Sequence, residues 1–133
     1  MKSYSQKDPG TGGPSQDSPQ REISVVNVEI TDQLALSLGP EIYNQILEVF
    51  VDQATDSVAK ISRAVRFQCY DEIASLSHNM KGSASTLGCD LLAELYRMLE
   101  LAAKDESPDK LVRLDAELQS ATLESLNALS HSV

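Results

Sequence analysis

Within residues 74–88, ASLSHNMKGSASTLG, a histidine is followed three residues later by a lysine and four residues later by a glycine. On a helix, position 78 touches positions 74, 75, 81 and 82, which here are Ala74, Ser75, Lys81 and Gly82. Three of these are small and one is a cation. Glycine in mid-helix costs about 1 kcal/mol relative to alanine, a cost that makes sense where another backbone must come close to the imidazole. Lys81 makes sense where His78 at times carries negative charge, since unit charges about 4 Å apart attract by up to roughly 4 kcal/mol near a protein surface. A neutral imidazole is a nucleophile, and a phosphoryl group would give it that charge. Taken alone, the histidine could equally be an ordinary surface residue.

A helix is expected from near Tyr70 to Leu87. At about 100° per residue from Ile73, the residues Leu76, Ser77, Met80, Ala84 and Leu87 form the core-facing stripe. His78 lies about 140° from Ile73 and points to solvent. If the next turn centres near Cys89, His78 stands eleven residues before it and Glu100 eleven after. Two antiparallel helices then carry them at one height. Glu100 is off the leucine stripe, on the rim where the helix pair meets water. A carboxylate accepting from Nδ1–H would fix the tautomer that leaves Nε2 as nucleophile, whereas a solvated surface acid would do nothing.

The elements that must position this pair are helical. Thr31 is a candidate cap for a short segment, DQLALSLG, that stops at Gly39. Pro40 fits the first turn of a second helix, with Glu41 beside its positive end. That helix carries Ile42, Ile46, Phe50, Ala54, Val58, Ile61 and Val65 at spacings of three and four. A fourth helix starts at Asp90, a candidate N-cap, and shows Leu92, Leu95, Leu99 and Ala102. Ser107 and Pro108 open a fifth with Leu111, Leu114, Leu118, Ala121 and Leu129. ISVVNVEI, residues 23–30, is the one β-like run. Short connections between long amphipathic helices predict antiparallel neighbours. The expected fold is all-α: an up-and-down antiparallel four-helix bundle with a short additional N-terminal helix over 23–133. Residues 1–22, rich in Ser, Gly, Pro and Gln, are expected to be a disordered tail or linker.

The 133 residues suffice for one modest core. Trp is absent and aromatics make up 5%, so aliphatic side chains must fill it. The net charge of −9 argues against nucleic acid as a partner. No apolar stretch is long enough to span a membrane, and the N-terminus lacks the apolar region of a secretory signal. A cytoplasmic location is expected. Cys69 and Cys89 would stand about 27 Å apart along a helix, too far for a disulfide, so both are read as free packing residues.

With these residues identified, HNMKGSASTLG (78–88) resembles the signature of histidine-containing phosphotransfer (HPt) domains, roughly H-x-x-K-G-[SA]-[SA]-x-x-[LV]-G. His78, Lys81, Gly82, Ser83, Ala84, Leu87 and Gly88 all match it, and the resemblance extends over the flanking helices, about 31–130. The family often carries Gln or Glu on the following helix at the position of Glu100. The resemblance implies a phosphorelay intermediate. His78 would accept a phosphoryl group from the aspartyl phosphate of a receiver domain and pass it to another receiver's aspartate. Lys81 would stabilise the phosphoryl charge and Glu100 orient the ring. Ala74, Ser75, Gly82 and Ser85 would line the partner surface, with Gly88 structural. It further implies partners in response-regulator receiver domains and a hybrid sensor histidine kinase, with no kinase activity and no cofactor of its own. Mg²⁺ would belong to the partner receiver. A monomer is expected.

Two other classes remain to be weighed. The same surface, with Met80 and Leu87 beneath it, suits a docking module without chemistry. A metal-binding bundle needs Glu-x-x-His pairs on facing helices, and none occurs; His131 belongs to the frayed end. Tyr96 and Arg97 are expected on the rim. Asp52, Asp56, Asp115 and Glu117 are expected on solvated faces.

Overall fold

The computed structural model describes residues 23–131; the expected tail over 1–22 lies outside the described residues. Five α-helices follow one another: α1 (Val28–Leu38), α2 (Pro40–Arg66), α3 (Tyr70–Thr86), α4 (Asp90–Lys104) and α5 (Pro108–His131). Among the described residues there is no strand. Three-residue corners join α2 to α3, α3 to α4 and α4 to α5. In space α2 packs on α3, α3 on α4, α4 on α5 and α5 back on α2, so four helices close a ring, with α1 laid against α2. The centre is filled mainly by Phe50, Ile61, Ile73, Leu92, Leu95, Leu99, Leu111 and Leu118. No described helix is long and apolar enough to cross a membrane.

The punctuation corrects several expectations. The β-like run does not form a strand: Asn27 takes up the cap position, its side-chain oxygen accepting from the N–H groups of Glu29 (3.1 Å) and Ile30 (3.4 Å), and α1 starts within that run. Local capping of free N–H groups outweighs β-propensity where no partner strand exists. Thr31 is therefore one turn inside the helix and buried, its hydroxyl donating to the Val28 carbonyl at 3.0 Å. Asp90 is the first helical residue rather than the cap, which is Cys89, without a side-chain hydrogen bond. Its carboxylate still lies beside the positive end of α4.

On α2 the buried face runs through Tyr43, Leu47, Phe50, Ala54, Ser57, Ile61 and Ala64, while Ile42 and Ile46 are exposed. Both stripes have helical spacing; α3 and α5 pack against the first. Tyr96, expected on the rim, is fully buried, and burial pushes its hydroxyl up to about 12. Cys69 is exposed, Cys89 is buried, and both thiols are free.

The α3–α4 corner sets the register on which the site depends. Gly88 has φ +76°, and an added Cβ would stand 3.0 Å from the Asn27 carbonyl oxygen and 3.1 Å from Ile30 Cβ. The lead-in chain ties this corner down, with Asn27 N–H donating to the Gly88 carbonyl (2.7 Å) and Leu91 N–H to that of Ser24 (3.0 Å). Glycine is needed here both for the left-handed backbone and for the close approach of α1.

Candidate functional site

The corner brings α3 and α4 together so that His78 and Glu100 meet. His78 Nδ1 lies 3.2 Å from Glu100 Oε2 and 3.4 Å from Oε1. From α3, Lys81 Nζ donates to Oε1 at 3.3 Å; from α4, Lys104 Nζ reaches Oε2 at 3.2 Å. Three nitrogens thus converge on one carboxylate. The His78 side chain is 64% exposed and that of Glu100 only 11%. Glu100 is therefore not the rim residue that its position off the leucine stripe suggests. Burial opposes its ionisation, but the hydrogen bonds from Lys104, Lys81 and His78 outweigh that and hold the carboxyl down at about 2.

The protonation pattern follows from that charge. An ionised carboxylate only accepts, so the nitrogen facing it, Nδ1, carries the proton. In a neutral ring the lone pair then resides on Nε2, at the far edge of an exposed imidazole. The site can hold a nucleophilic nitrogen in one tautomer and supply a negative charge to a ring that becomes positive.

The other named residues surround it unevenly. Ser75, Gly82 and Ser85 are exposed, and Ala74 is half-buried. A Cβ placed on Gly82 would meet nothing within 4 Å, so nothing in this chain's own packing requires glycine there. Towards α4, Lys81 and Ser85 share an open cleft of about 420 Å³ with Asp90, Glu94 and Arg97. Arg97 is exposed and paired with Glu94 through two hydrogen bonds, one of them Nε to Oε1 at 2.9 Å. Towards α2, Ser83, Thr86 and Leu87 face Ile46, Val49 and Phe50 across an apolar groove of about 440 Å³. Among the described residues, no group of three or more His, Cys, Asp and Glu side chains could hold a metal ion. His131 is the last residue of α5.

Lys104 is the site residue that the sequence reading missed. Its signal was available: it stands four residues after Glu100, on the same face of a helix.

A family model described as the Hpt domain matches residues 45–123. No curated protein matches the chain. Among solved structures, the chain is similar to histidine-containing phosphotransfer protein B (HptB) of Pseudomonas aeruginosa PAO1. The TM-score is 0.76 and the identity 17%, covering 80% of this chain and 92% of that one. At that identity the likeness concerns the fold.

Proposed function

The chain belongs to the Hpt domain family, and on that premise we propose that His78 carries a phosphoryl group between receiver domains of a phosphorelay. Hpt domains are phosphotransfer carriers and not kinases. In this reading Nε2 attacks the phosphorus of a receiver's aspartyl phosphate. A P–N bond forms, the P–O bond breaks with its electron pair going to the aspartate, and the Nδ1 proton stays between the ring and Glu100. A second receiver's aspartate later reverses the step. The transferring group needs in-line placement and charge stabilisation more than covalent help. Lys81 meets the phosphoryl charge and Glu100 the positive charge that the ring gains. Mg²⁺ comes with the receiver.

The observation that carries the assignment to His78 is its exposed ring, bound at Nδ1 by a buried, ionised carboxylate. The open space over Gly82 supports a partner's close approach, with Ala74, Ser75 and Ser85 beside it and the apolar groove between α2 and α3 within reach. Response-regulator receivers and a hybrid sensor histidine kinase are the proposed partners. The scaffold is proposed to be an up-and-down antiparallel four-helix bundle carrying α1 as its additional helix, acting as a cytoplasmic monomer. Incubation with a phosphorylated cognate receiver should give an acid-labile phosphate on the chain and none on His78→Gln. Labelling that survives this substitution would reject the assignment, and receiver binding without any transfer would make the chain a docking module.

A further inference from the structure

Glu100 has more cationic partners than ring orientation requires. His78 and Lys104 share Oε2, and Lys81 takes Oε1. Lys81 is on α3, one turn from His78, and its side chain is 34% exposed. Lys104 is on α4, on the other carboxylate oxygen from Lys81, and 63% exposed. The two lysines hold the same anion from different helices, so one can leave while the other stays.

Phosphoryl arrival creates the reason to leave. Before transfer the site holds two ammonium groups and one carboxylate around a neutral ring. Afterwards it also holds a dianionic phosphoryl group on Nε2 and a positive ring. Lys81 is needed at the phosphoryl oxygens, but moving there strips Glu100 of a cation just as a new anion comes close. The positive ring at Nδ1 offsets part of that loss, but without a second cation the dianion would still draw the carboxylate towards protonation and loosen its grip on Nδ1–H.

We propose that Lys104 is the standing counter-cation of Glu100, the positioning residue that keeps the carboxylate ionised and in place while Lys81 swings to the phosphoryl group. The proposal rests on the phosphotransfer reading of His78. Lys104 touches neither the ring nor the reacting phosphorus; it acts through Glu100. Its place in the last turn of α4 also suits a cation, because the carbonyl end of a helix carries partial negative charge. That second role affects stability only.

The test compares single-turnover transfer from a phosphorylated receiver to the full chain and to Lys104→Met and Lys104→Arg, at saturating receiver. Receiver affinity is measured separately by titration with the unphosphorylated partner. Lys104→Met should slow transfer about fivefold, the weight of one solvent-edge ion pair, with receiver affinity within about twofold of the parent chain. Lys104→Arg should restore the rate. An unchanged rate in Lys104→Met overturns the proposal, even if the variant melts earlier, because only the helix-end role is then left. A weakened affinity with an unchanged saturating rate also overturns it, in favour of docking. Failure of the parent chain itself to accept phosphate defeats the phosphotransfer reading first, which keeps the two failures apart.

Discussion

Replacing Glu100 by Gln keeps the side chain's shape and removes its charge, so it isolates what that charge contributes. The carboxyl is held at about 2 instead of the usual 4.5. That difference sets a ceiling of about 3 kcal/mol on the stability the ionised form supplies. The ceiling is not reached, because the partners are solvent-exposed, His78 by 64% and Lys104 by 63%. Water and salt screen such pairs, and about 1 kcal/mol is the realistic share. The sign is definite. A carboxyl depressed in the folded state stabilises fully above its unfolded value of 4.5 and loses that contribution as the pH falls towards about 2. Urea unfolding of the parent chain and of Glu100→Gln, followed by circular dichroism across that range, should give a gap of about 1 kcal/mol near neutral pH that closes on acidification. Other carboxylates titrate in both proteins and cancel in the difference. The Gln carbonyl oxygen still accepts from Nδ1–H, so the tautomer survives. The ring's positive charge loses its counter-charge, and transfer should slow about tenfold. A stability gap independent of pH, or one that widens in acid, would refute the electrostatic account of the site.

Two further substitutions separate partner contact from folding. Gly82→Leu adds a side chain into open space and removes the helix penalty of glycine, so thermal stability should hold or rise by up to about 1 kcal/mol. Transfer from a phosphorylated receiver should nevertheless fall by about tenfold or more through steric exclusion; an unchanged rate would mean that no backbone comes near. Gly88→Ala meets both the positive φ of +76° and the Asn27 carbonyl oxygen at 3.0 Å, and should destabilise by about 1–3 kcal/mol in urea unfolding. Stability equal to that of the parent chain would show the corner to be more yielding than its contacts imply.

Much of the site was legible because α3 and α4 are joined by a short corner. Counting outward from Cys89 puts His78 opposite Glu100, and the two side chains do meet. The phase of α3 was readable for a related reason: Ile73, Met80 and Ala84 are buried, and His78 lies well away from their stripe. On α2 the same method held from Phe50 onward, where Phe50, Ala54, Ile61 and Val65 are buried, and failed in the first turns, where Tyr43 and Leu47 face inward in place of Ile42 and Ile46. Both pairs repeat at helical spacing, and hydropathy cannot rank two adjacent apolar stripes. Tyr96, expected on the rim, is buried instead, since an aromatic ring can take its polar tip into the core.

By itself, the sequence determined the helices, their order, the exposed histidine and its small or cationic neighbours, since all of these depend on spacing within one helix or across one short turn. The tertiary structure alone decided how deeply Glu100 is buried, that Lys104 joins Lys81 on it, and which residues in the first turns of α2 face inward. Those outcomes depend on what packs against each face, and burial and charge are properties of surroundings that several helices supply together.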